Sequence, residues 1–151
     1  MRKSELIEQA IKSKKIDWIS DPEIGWFLES DPIRLYYGAK ENEIASILEN
    51  GIYADENGYV CCSLDPYTAN YHAMPLTESY NEDKRVVFVI DIPASYTAKN
   101  PFFVESERIT DKKLYEKWGK SDVEFYALEN VEVPKHIPVK FIKGYMVKND
   151  S

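Results

Sequence analysis

Apolar positions along this chain alternate between helical and strand spacing, and the switches divide it into short elements. Leu6, Ile7, Ala10 and Ile11 recur at helical spacing and predict a helix over 4–15. Ser4 is placed to cap it, and Lys12, Lys14 and Lys15 complement the dipole at its C-terminal end. Asp21-Pro22 predicts a second short helix through Leu28, stopped by Ser30-Asp31-Pro32. Residues 1–32 therefore read as an N-terminal helical cover.

Over 33–37 the spacing changes to period two. Ile33, Leu35 and Tyr37 share one face of a strand, Arg34 and Tyr36 the other, and Gly38 is expected to end it. Residues 40–50 return to helical spacing through Ile44, Ile47 and Leu48, with Gly51 as the closing residue. Residues 52–58 are rich in turn formers, and 59–64 read as the next strand. Asp65-Pro66 starts a helix running to about Ala73, on which Tyr67 and Tyr71, four apart, share a face. After a polar loop, residues 85–92 (RVVFVIDI) are nearly continuous in β-branched and aromatic side chains, predicting a central strand. Pro101 excludes a long helix in 94–109, and Thr110 caps a helix through Trp118. Strands are expected at 123–128, 131–133 and 139–147, punctuated by Pro134 and Pro138. This order predicts one α+β domain with a mixed or antiparallel sheet. The helices are too few for a doubly wound parallel sheet.

Composition changes this picture little. The chain has 151 residues, 44% hydrophobic and 30% charged, which suits one packed domain and not disorder. No apolar run approaches a membrane span and no signal-peptide core is visible, so no membrane partner and a cytoplasmic location are expected. A net charge of −7 argues against a general affinity for nucleic acid. Cys61 and Cys62 are adjacent and read as strand residues, with no further Cys to complete a zinc site. Eleven tyrosines offer rings for stacking on a planar ligand.

Most catalytic patterns are missing. There is no Walker loop, no G-x-G-x-x-G, no nucleophile elbow and no H-E-x-x-H, and no metal is expected. His72 lies beside the paired tyrosines and is a minor site candidate. The carboxylates Asp122, Glu124, Glu129 and Glu132 cluster late in the chain, where Glu124 and Glu132 share strand parity and Glu129 does not.

Four blocks in order carry a resemblance. Leu35-Tyr36-Tyr37-Gly38-Ala39, followed by a helix ending in Asn50-Gly51-Ile52, resembles the L-Y-H-G-T opening of the ADP-ribosyltransferase fold, shared by poly(ADP-ribose) polymerases, mono-ADP-ribosyltransferases and RNA 2′-phosphotransferases. VCCSLDPYTANYHA, residues 60–73, looks like the second block, VVFVIDIP, residues 86–93, like the central strand, and ENVEVPKHIPVKFI, residues 129–142, like the last. The similarity spans about residues 33–147. It implies a split α+β sheet and an NAD-dependent transfer of ADP-ribose to a macromolecular acceptor, with release of nicotinamide. It further implies catalytic roles for Glu129, Tyr37 and Tyr71. Tyr36, Gly38, Ala39, Ser63 and Tyr67 would contact the cofactor, Gly38 through its backbone, with Ser63 supporting the site and Tyr71 as the stacking face. Two positions depart from the family pattern: Tyr37 stands where His or Arg is usual, and Asn130 falls near the usual Glu, between Glu129 and Glu132. The phosphotransferase branch is disfavoured, because its basic site residues have no counterparts here. Two other readings compete: a degenerate module that binds a nucleotide, ADP-ribose or a protein, and an interaction protein of the phage or mobile-element accessory kind.

Overall fold

A computed structural model describes residues 2–19, 31–56, 58–73, 85–100 and 131–148, and the backbone of 103–104. The elements are α1 (Lys3–Ser13), β1 (Ile33–Lys40), a 3-10 turn (Glu41–Glu43), α2 (Ile44–Asn50), β2 (Tyr59–Cys62) and α3 (Pro66–His72). They continue with β3 (Arg85–Ile92), α4 (Ala94–Lys99), β4 (Phe103–Val104), β5 (Val131–Pro134), a second 3-10 turn (Val139–Phe141) and β6 (Ile142–Met146). The expected helices at 22–28 and 110–118 and the strand at 123–128 lie outside the described residues.

The architecture is α+β. β1, β3 and β6 form one antiparallel three-stranded sheet, and β2, β5 and β4 form another. β3 is central in the first sheet, as its apolar run predicts, because both of its faces are covered. Phe88, Ile90 and Ile92 face the main core together with Leu35, Val60, Cys62, Val131, Val133 and Ile137. Val87 and Val89 face the opposite side, where they meet Tyr36, Ala69 and Met146 under α3. All eight residues of β3 are buried. Each fully buried Phe or Ile of such a strand contributes roughly 1.5–3 kcal/mol of transfer free energy. β3 also carries Asp91, whose carboxylate accepts two bonds from the Arg34 guanidinium, at 2.7 and 2.8 Å. Arg34 leans along the sheet to a cross-strand partner and leaves the Tyr37 face alone.

Several boundaries differ from the sequence reading. Ser4 is not a cap. α1 begins at Lys3, its N-cap is Arg2, and no side chain caps it. Among the residues of α1 none is buried, and Leu6 is 54% exposed, so the expected cover is a helix lying beside α2. The following residues join the sheet: Ile16 N donates to Tyr145 O and Tyr145 N to Lys14 O, both at 2.9 Å. Gly38 does not end β1, which continues to Lys40. The helix expected over 40–50 starts as the 3-10 turn and becomes α-helical only at Ile44. The strand expected over 139–147 also opens as a 3-10 turn, since Pro138 precedes it and cannot donate a ladder bond.

Candidate functional site

The two sheets touch through the edges of β1 and β2, and the contact is brief. Tyr36 N donates to Ser63 O at 2.8 Å, and Ser63 N donates to Tyr36 O at 2.9 Å. Continuing the antiparallel register of that bridge places Gly38 on the side of Cys61. In a β-strand the N–H and C=O of residues two apart point to the same edge. Those of Gly38 therefore point, like those of Tyr36, into the gap between the sheets. The gap holds a cavity of about 360 Å³ lined by Tyr36, Tyr37, Gly38, Cys61, Ser63, Ala69 and His72. That volume lies in the roughly 300–1,000 Å³ range of ligand clefts.

α3 forms the wall of this cavity, and its sequence explains its placement. Asp65 caps it, accepting from Tyr67 N and from Thr68 Oγ1, both at 3.1 Å, and Pro66 occupies the first turn. The helix then presses on β1 where the strand has no side chain. A Cβ at Gly38 would lie 2.0 Å from Ala69 O and 3.1 Å from Ala73 Cβ. Gly38 is thus small because a helix backbone passes over it.

The expected site residues divide into three groups. Tyr36, Tyr37, Gly38 and Ser63 come together around the cavity. Ala39 is fully buried in the main core, and Tyr67 and Tyr71 lie on the outer face of α3, 41% and 63% exposed, away from the cavity lining. Tyr67 meets Trp18 edge-on at 5.4 Å, and Lys148 Nζ lies 5.8 Å from its ring centroid. Glu129, with Asn130 and Glu124, lies outside the described residues. Cys61 and Ala69 also line the cavity without having been expected there, and so does the minor candidate His72. Cys61 is exposed while its neighbours Val60 and Cys62 are buried, an alternation already present in the strand pattern. His72 falls three residues after Ala69 and so shares its helix face, whereas Tyr67 and Tyr71 share another.

The electrostatics of the lining follow from burial. Burial pushes the Tyr37 phenol up to about 12, helped by the charge of Glu43 and by Cys62, Cys61 and Asp55. The phenol is therefore neutral at physiological pH and offers a hydrogen bond without charge. Burial raises the Tyr36 phenol as well, against the opposing charge of Arg34. Cys62 is driven far above the ordinary thiol range by complete burial, which makes it an inert core residue. Glu132 is a described carboxylate of the late acidic cluster. It is the cross-strand partner of Cys61 on β5 and is half-buried. Among the described residues no group of three or more His, Cys, Asp or Glu is placed to hold a metal ion, and no helix is long and apolar enough to cross a membrane. Comparison of the sequence with protein-family models and with curated proteins finds no match.

Proposed function

We propose that the cavity between β1 and β2 binds the nicotinamide end of NAD and that the protein is an ADP-ribosyltransferase acting on a macromolecular acceptor. One observation carries the reading. By strand alternation the N–H and C=O of Gly38 lie on the edge of β1 that faces a ligand-sized cavity, where a planar carboxamide can accept from one and donate to the other. Tyr37 would donate to a ribose hydroxyl, and Ser63 holds β2 against Tyr36 at the closed end. Cleavage of the ribose–nicotinamide bond passes through an oxocarbenium-like centre, which a carboxylate stabilises. Glu129 is the residue proposed for that role by resemblance, and the aromatic stacking role passes from Tyr71 to Tyr36 or Tyr37, which line the cavity. The test is release of nicotinamide from NAD, expected from the wild-type chain and abolished in Glu129→Gln. Unchanged turnover in that variant would remove Glu129 from the mechanism.

A second reading has an observation of its own. Tyr37 is held neutral where the family usually places a charged residue, and losing one positioned electrostatic group costs roughly 10²–10³ in rate. A module that binds NAD or ADP-ribose without turnover fits this, and saturable binding with no free nicotinamide would select it.

A further inference from the structure

The apolar stripe of α1 is left largely uncovered by the rest of the chain. Leu6, Ile7, Ala10 and Ile11 share one face, yet no residue of α1 is buried, and Leu6 and Ile7 stay 54% and 39% exposed. A helix of 11 residues is marginal in water by itself and draws its stability from packing an apolar face. No side chain caps α1 to compensate. Between α1 and α2 runs a groove of about 300 Å³, with Leu6, Ile7 and Ala10 on one side and Ala45 and Leu48 on the other. Each side also brings one charge, Lys3 from α1 and Glu49 from α2. Both are exposed, and among the described residues neither forms an ion pair. The wider charge follows the same division. Residues 2–15 carry Arg2, Lys3, Lys12, Lys14 and Lys15 against Glu5 and Glu8, whereas 41–50 carry Glu41, Glu43 and Glu49 with no Lys or Arg.

We propose that this groove is the interface of a two-fold dimer and that its occupant is a second copy of the chain. Turned about the two-fold axis, α1 of each copy rests on α2 of the other and covers the exposed Leu6 and Ile7. Lys3 of each copy then meets Glu49 of the other, and the contact is made twice, as an isologous interface requires. The distribution of charge selects this occupant. An anionic membrane or an acidic helix would suit Lys3 and be repelled by Glu49 across the groove, and a basic helix would do the reverse. A second copy carries both signs where they are needed. At long range two chains of net charge −7 repel each other, and α1 supplies the local basic surface that lets them approach. A face built on one helix about 16 Å long is at the small end of interfaces, so the dimer dissociates on dilution. The groove shares no lining residue with the cavity between β1 and β2, so the proposal stands apart from the NAD reading.

Sedimentation velocity on the full chain, from low to high micromolar, reads the mass directly. The mass is expected to climb from one chain to two as concentration rises. Leu6→Asp, at a residue more than half exposed in the single chain, should keep the wild-type circular dichroism and stay at one chain throughout. Lys3→Glu and Glu49→Lys should each weaken the dimer by about tenfold, because the two-fold axis repeats each exposed pair. The double variant Lys3→Glu with Glu49→Lys restores opposite charges across the interface and should recover wild-type association. If Leu6→Asp lowers the helix content, the charge exchange decides alone, since both of its positions are exposed. A mass of one chain at every concentration overturns the proposal. So does a two-chain mass that a fully helical Leu6→Asp leaves unchanged, or a double exchange that associates no better than its single variants. A single chain that co-sediments with phosphatidylserine vesicles gives the face to a membrane surface and overturns the proposal as well.

Discussion

Replacing Gly38 by Ala tests the placement of α3 directly. The added Cβ would sit 2.0 Å from Ala69 O and 2.9 Å from Ala69 C, below the 3.0 Å that Cβ contacts require. Both are backbone atoms, so no side chain can swing aside, and α3 must retreat by about 1 Å or β1 must bend. Overpacking of this kind costs roughly 1–3 kcal/mol, and for a chain of this size each kcal/mol lowers Tm by about 2–4 °C, so a fall of roughly 3–10 °C is expected. Gly58→Ala is the control. Gly58 has φ of 86°, and nothing lies within 4 Å of its added Cβ, so its cost is backbone strain alone, about 1 kcal/mol. Thermal unfolding followed by circular dichroism measures both variants. A Gly38→Ala Tm equal to wild type, or above that of Gly58→Ala, would refute the argument that α3 rests on a bare strand backbone.

Other measurements address the remaining groups. Burial raises the Tyr37 phenol in the folded state, so its ionisation opposes folding and stability falls as pH rises from about 10 toward about 12. The urea midpoint of wild type should fall relative to that of Tyr37→Phe between pH 8 and pH 11, and identical pH profiles would contradict this. Arg34→Ala leaves the buried Asp91 carboxylate without its two bonds and should destabilise by about 1–2 kcal/mol, a value discounted because Arg34 is half exposed. Denaturant titration in low and high salt measures it. Under native conditions a thiol reagent should titrate Cys61 rapidly and Cys62 only after unfolding, and Cys61→Ser should abolish the fast phase. NAD at saturation should slow that fast phase if it occupies the cavity.

The parts of the fold legible in the sequence are those where one residue pattern admits one structure. The β-branched run at 85–92 can be buried on both faces only as an inner strand, and Asp65-Pro66 can hardly do other than start a helix. Gly38 was misleading because a glycine in a strand has two physical meanings, an end of the strand or a place for another backbone to approach. The choice between them depends on Ala69 and Ala73, thirty residues further along. Their small side chains, four apart, were the available signal that this helix face lies against a strand. Tyr71 and His72 show the same limit. Adjacent helix residues point about 100° apart, and which one enters a cavity depends on docking, not on local pattern. The bridge of Tyr36 to Ser63 between β1 and the end of β2 was invisible for a related reason, since it arises from strand register.

Both sheets are finished by the same late stretch of chain. β5 supplies the middle strand between β2 and β4, and β6 supplies the strand that covers the second edge of β3. Residues 14–16 then bind to Tyr145, about 130 positions downstream. During synthesis, β1 and β3 can pair with each other, but β2 and the second edge of β3 leave the ribosome before β5 and β6 exist. A nascent chain of this topology forms few local sheet contacts and must close long loops at the end, which places it among slow folders. Exposed strand edges in that interval are sites for mispairing with other chains. The interval between synthesis of Ile92 and of Val131 is therefore the one in which β2 and the second edge of β3 await their partners.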